Sequence, residues 1–145
     1  MKFKAAIRRH HVYMTTWTSI MNEVLICKQD NREEAKECDP NAVVVYKQSL
    51  EQDDLDLAGH VPTELSIILA GFLAVSESNT LTVQACGKRK REVGLVIPGC
   101  YQARTCRKKI ADILSTEIKK IKDCYPYFEI EIEHDKIHKP VLIKQ

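Results

Sequence analysis

A chain of 145 residues with 44% hydrophobic content has the size of one globular domain, which buries about two thirds of its unfolded surface without needing a metal or a disulfide. Its 22 Lys+Arg against 20 Asp+Glu leave a formal net charge of +2, so total charge says little about partners and any nucleic-acid surface must come from local clustering. The six cysteines include no Cys-x-x-Cys pair, the start lacks a signal-peptide core, and no apolar run is long enough to span a bilayer; an intracellular protein with reduced thiols is expected.

Along the chain, a basic and apolar opening (Lys2, Lys4, Arg8, Arg9, His10, His11) carries Ile7, Val12 and Tyr13, and predicts a first strand through Ile7 and Val12. Trp17 and its threonine neighbours favour extended structure as well. Glu23-Val24-Leu25-Ile26-Cys27-Lys28 is a continuous apolar run with polar ends, suited to a buried strand. Residues 29–37 are polar and read as a loop, which Asp39-Pro40-Asn41 closes with turn chemistry. Residues 42–46, with three consecutive β-branched valines, predict a central strand. Residues 48–56 form a second, acidic loop, and 57–61 a short strand.

Pro62 suits the first turn of a helix, where a missing N–H costs nothing. Leu65, Ile68, Leu69, Phe72 and Leu73 follow at helical spacing, and Glu77-Ser78-Asn79 ends the element. Leu81, Val83 and Ala85 then alternate with Thr80, Thr82 and Gln84, a strand with one face inward. Residues 87–92 are a charged hairpin connection to a strand over 93–98, which 100–105 extends or follows. A second helix has an apolar stripe of Ile110, Ile113, Leu114, Ile118 and Ile121, with Lys108, Lys109, Lys119, Lys120 and Lys122 mostly off it. Finally Phe128, Ile130 and Ile132 alternate with Glu129, Glu131 and Glu133, a strand that His134-Asp135 turns toward Val141-Leu142-Ile143. Strands, helix, strands, helix and a last strand or hairpin predict an α+β domain built on a curved or barrel-like antiparallel sheet.

Two stretches carry a resemblance: Asp39-Pro40-Asn41-Ala42-Val43-Val44-Val45, and Ala58-Gly59-His60-Val61-Pro62-Thr63-Glu64-Leu65-Ser66. An Asp-x-x-Ala turn and strand, followed by Gly-His-apolar-Pro before a helix, resembles the HIRAN domain family. Glu23-Val24-Leu25 upstream and Gly94-Leu95-Val96-Ile97-Pro98 downstream fit the same scheme, and the match spans residues 10–103. The resemblance implies an OB-like antiparallel β-barrel with two helices over residues 1–127, and residues 128–145 as a C-terminal strand or hairpin packed on the same domain. It also implies a non-catalytic module binding single-stranded DNA, with capture of a free 3′-hydroxyl end as in a characterised member.

Residue by residue, the resemblance places Asp39 at the polar turn that accepts a bond from a terminal hydroxyl, His60 beside the bound strand, and Tyr13 at a stacking position of the first strand. The basic run Lys88-Arg89-Lys90-Arg91 would meet phosphates. Two departures weaken end capture. Cys38 stands where the end-binding member has an aromatic ring, and Leu95 where a second one stacks; each base stacked on a ring contributes about 1–3 kcal/mol. A protein-interaction or scaffold domain that kept the barrel and lost the pocket is therefore the rival reading, and the acidic loop 51–56 favours it.

Each candidate also has a plain structural role. Asp39 can be a turn former, and His60 can bond backbone at a helix start. The run 88–91 can be a solvated hairpin or a nuclear-import signal, and the helix lysines a wet face. Cys86, Cys100 and Cys106 can be small apolar fillers. No triad order and no phosphate-cradling glycine loop is present, and a carboxylate at Asp39 would raise rather than lower the pKa of the Cys38 thiol, so no enzyme is expected. His134, Asp135 and His138 lie in a strand-and-turn pattern that does not suit zinc, so neither metal nor cofactor is expected. The expected partners are nucleic acid or a protein and no membrane, in the nucleus rather than the cytoplasm.

Overall fold

A strand that faces a core on one side and water on the other must alternate buried and exposed residues, and this alternation runs through the sheet. The computed structural model describes residues 1–8, 23–30, 41–48, 55–87, 90–92 and 94–133, with the backbone alone at 48, 55–56, 90–92 and 94–95. The elements are β1 (Lys2–Arg8), β2 (Val24–Gln29), β3 (Val43–Gln48), β4 (Leu55–His60), α1 (Thr63–Val75), β5 (Thr80–Ala85), β6 (Lys90–Glu92), β7 (Gly94–Arg104), α2 (Lys108–Cys124) and β8 (Glu131–Glu133).

All pairings are antiparallel. The order β7-β5-β2-β3-β4-β1 returns to β7, so six strands close a barrel. β6 folds back on β7 as a hairpin, and β8 adds to the free edge of β1. Followed strand by strand from Arg104 of β7, the register passes through β5 and β2 to Val44, His60 and Arg8, and returns to β7 at Val96. The return at a different point of the same strand is the stagger that tilted barrel strands require. A register shift between Val45 and Tyr46 bends β3 where it meets β4. The expected α+β, OB-like barrel with two helices is the observed architecture.

Phe3, Ala5 and Ile7 of β1 point inward with Leu25, Cys27, Val43, Val45, Leu81, Val83, Ile97, Tyr101 and Ala103. Tyr101 stacks on Phe3 with ring centroids 5.0 Å apart, and its hydroxyl donates to the Ala6 carbonyl at 2.8 Å, so the largest polar core side chain is satisfied. Gly99 lies between β5 and β1, opposite Ala85 and Ala5. A Cβ there would come within 2.8 Å of Val83 Cγ2 and 3.0 Å of Ile7 Cγ1, so glycine is what lets three strands close on the core at this point.

Several elements differ from their expected bounds. β1 ends at Arg8, and Val12 lies outside the described residues. β2 is not buried on both faces: Leu25 and Cys27 face the core while Val24 is 56% exposed, because a barrel strand keeps its outer face toward solvent. The two segments expected around 93–105 are one strand of 11 residues. Pro98 lies within it yet costs little, because it faces the gap between β5 and β6, where its missing N–H interrupts no ladder. Its carbonyl accepts the Cys86 amide at 2.9 Å, and Gly87 passes close over its ring.

Pro62 sits at the cap position just before α1 rather than in its first turn, and its carbonyl receives the Leu65 amide at 2.9 Å. Leu65, Leu69 and Phe72 bury the expected face, with Ile68 and Leu73 partly buried beside it. Asn79 ends the element, its side-chain amide donating to the Phe72 carbonyl at 2.9 Å. In α2, Leu114 and Ile118 are buried and Ile110 and Ile121 partly so, but Ile113 is 54% exposed: the stripe meets its neighbours along a narrower seam than the sequence suggested. The five lysines of that helix are exposed. The tail alternates as expected, with Phe128 and Ile130 buried, and β8 pairs with Lys2, Phe3 and Lys4 of β1. The continuation over 134–145 lies outside the described residues.

Candidate nucleic-acid interface

His60 ends β4 where the barrel closes. Its backbone pairs with Val44 on one side and with Arg8 on the other, and the Arg8–His60 pair is the whole described register between β4 and β1. Arg8 in turn pairs with Val96 of β7, and Val96 with Lys90 of β6. Lys28, Val44, His60, Arg8, Val96 and Lys90 thus form one continuous row across five neighbouring strand pairings. Directly paired residues share a face, and the core-facing residues of β3 are the flanking Val43 and Val45. The described side chains of the row therefore turn away from the barrel core: Lys28 is exposed and Arg8 and His60 are half-buried, while Val44 and Val96 are buried, at 0% and 3% exposed. At about 4.8 Å per strand, His60 and Lys90 are about 14 Å apart along the row.

The row brings together two of the expected site residues, His60 and Lys90, and adds Arg8. Arg91 follows in β6 opposite Leu95 of β7. Tyr13, Asp39, Lys88 and Arg89 lie outside the described residues, as does Cys38.

Arg8 is already engaged. It makes two hydrogen bonds to Glu64 in the first turn of α1, Nη1 to Oε1 at 2.6 Å and Nη2 to Oε2 at 3.2 Å, in a fork-to-fork pair. Its guanidinium also lies over the Phe128 ring, 5.6 Å from the centroid. Burial alone would push the Glu64 carboxyl up, but the Arg8 hydrogen bonds, the helix amide and the Arg8 charge outweigh it and hold the group below the usual carboxylate range. The pair fastens α1, which follows directly on the Gly59-His60-Val61-Pro62 stretch, to the end of β1, and ties both to the tail. Sequence reasoning placed Arg8 among free basic residues and did not find Glu64. The only local hint was an acidic residue at a helix start, a position the helix dipole favours anyway.

An open cleft of about 420 Å³ adjoins the row at Val96, lined by Lys4, Lys122, Phe128, Glu129 and Glu131 among others. Its two lysines are balanced by two glutamates, so it presents no field of a single sign. Cys86 and Cys106 are exposed and are not the apolar fillers expected, since both lie just past strand ends. Burial, reinforced by a hydrogen bond to the Cys86 thiol, pushes the half-buried Cys100 up to about 11, and burial raises Cys27 further, so neither is a ready nucleophile. Among the described residues, no three His, Cys, Asp or Glu side chains come together as a metal site, and no helix is long and apolar enough to cross a membrane.

No family model matches the chain, and no curated protein sequence does either. A solved structure does: the crystal structure of the HIRAN domain of human HLTF superposes with a TM-score of 0.57 at 16% sequence identity, covering 83% of this chain and 88% of that one. Superposition at this TM-score over most of both lengths shows a shared fold, and the fold of this chain is HIRAN-like.

Proposed function

We propose that this chain is a non-catalytic nucleic-acid-binding module that takes single-stranded DNA and recognises its 3′ end, acting in the nucleus. The observation that carries this reading is the position of His60, half-buried at the seam of a HIRAN-like barrel, in one cross-strand row with Arg8 and the basic hairpin residue Lys90. Of the two stretches that carry the resemblance, the His60 stretch pairs with β3 at Val44, and the Asp39 stretch precedes β3 in the sequence. In this reading Asp39 accepts the terminal hydroxyl, Tyr13 stacks on the last base, His60 lies beside the strand, and Lys88, Arg89, Lys90 and Arg91 meet phosphates.

A specific observation favours the second reading, a protein-interaction domain on the same barrel. The Arg8 guanidinium, well placed for a phosphate, is neutralised by Glu64. Fluorescence anisotropy with short single strands ending in a 3′-hydroxyl or a 3′-phosphate separates the two. Preference for the hydroxyl, erased by Asp39→Ala with general affinity kept, supports end recognition. Equal binding of both ends, weak and abolished by moderate salt, overturns it.

A further inference from the structure

We infer that the nucleic-acid surface continues from Lys28, the far end of the His60 row, over Arg104 to Arg107, Lys108 and Lys109 at the start of α2, where it serves the phosphate backbone alone. It rests on the nucleic-acid reading above and assigns it a further set of side chains.

Three elements supply the patch. Arg104 ends β7 opposite Thr80 of β5. One residue further, Leu81 pairs with Cys27 of β2, so the next residue of β2, Lys28, stands beside Thr80 in the same ladder. Arg104, Thr80 and Lys28 are all exposed. Two strand spacings separate Arg104 from Lys28, about 10 Å. Arg107, Lys108 and Lys109, also exposed, follow where the chain turns from β7 into α2.

Among the described residues, the charges of these five are uncompensated. Among the described residues no carboxylate pairs with any of the five, and Arg104 donates only to the Gln102 side chain, at 3.4 Å. The first turn of α2 contains no acidic residue and no side-chain cap. Three cations there oppose the helix dipole and repel one another, a choice made against local stability. The lysines at the other end of the same helix differ: they sit at the end the dipole favours, and Lys120 pairs with Glu117 at 3.1 Å. A wet helix face accounts for that end and not for the first turn. An extended polyanion laid from Lys28 across Arg104 to the start of α2 would relieve the repulsion. The outward neighbours Thr80, Thr82 and Gln102 carry no ring, so the surface reads neither base nor strand end.

The test is a salt titration of the full chain with a labelled oligothymidylate of about 16 nucleotides, the upper end of the site size of a single OB-like barrel. The variant Arg104→Ala/Arg107→Ala/Lys108→Ala is compared with a charge-matched control, Lys119→Ala/Lys120→Ala/Lys122→Ala. All six residues are exposed, and circular dichroism checks that both variants fold. Each lost phosphate contact flattens the dependence of log K on log[salt] by about 0.7, so the first variant is expected to lose roughly 2 from the slope and the control little. Any preference for a 3′-hydroxyl end persists in the first variant. Equal losses in both variants would overturn the patch and leave only net charge, and an unchanged slope in the first variant would overturn it outright. A wild-type chain that binds no strand at all would remove the nucleic-acid reading and the patch together, a different result from binding that survives the substitutions.

Discussion

Gly99→Ala probes the closure of the barrel with a single methyl group. The new Cβ would lie 2.8 Å from Val83 Cγ2, 3.0 Å from Ile7 Cγ1 and 3.1 Å from the Ala5 carbonyl oxygen. Val83 and Ile7 are 1% and 0% exposed, so neither side chain can swing into water, and the Ala5 oxygen belongs to the neighbouring strand. Overpacking of this kind costs about 1–3 kcal/mol. Replacing a strand glycine recovers about 0.5–1 kcal/mol of backbone entropy. The net expectation is a loss of about 1–2 kcal/mol, read by urea unfolding with an unchanged m-value. Val83→Ala removes the closest clashing atom, so the double variant should be more stable than the sum of the two single losses implies. A Gly99→Ala protein as stable as the wild type, or additive behaviour in the cycle, would refute the proposed crowding between β1, β5 and β7.

Leu69, fully buried on the core face of α1, should cost about 2–5 kcal/mol as Leu69→Ala, and a loss under roughly half a kcal/mol by the same unfolding assay would mean the helix does not bury that face. Glu64 has a lowered folded-state pKa, so its pairing with Arg8 stabilises the fold above the unfolded carboxylate range and loses that contribution as pH falls through the folded value; melting temperatures should therefore drop more steeply on acidification for the wild type than for Glu64→Gln, and parallel curves would contradict the pairing. Deleting residues 128–145 removes buried Phe128 and Ile130 together with β8, and should leave a folded but less stable barrel; an unchanged melting temperature would make the tail an appendage.

The sequence was legible where one face of an element meets the core. Leu81, Val83 and Ala85 alternate in β5 as their chemistry dictates, and Phe128 and Ile130 do the same in the tail. It misled where apolar residues stand on an outer face. Val24 and Ile113 match the pattern of buried neighbours yet remain more than half exposed, because periodicity says which residues are apolar and not how wide a contact seam is. Cys86 and Cys106 were misread for a related reason: local apolarity does not reveal that a strand has just ended. The Arg8–Glu64 pair joins residues 56 positions apart, and the row through His60 depends on which strands become neighbours, information no local window contains. The Gly-His stretch could be located as a candidate. That it stands beside a neutralised arginine could not.

The most direct test of nucleic-acid binding at the His60 seam is an NMR titration of the isotope-labelled chain with a short single strand ending in a 3′-hydroxyl. The amides of Val44, His60 and Arg8 are expected to shift together and to saturate with the strand, and to respond less to the same strand ending in a 3′-phosphate. Saturating shifts confined to other faces of the barrel, or no shifts at a strand concentration far above the chain's, would contradict the assignment.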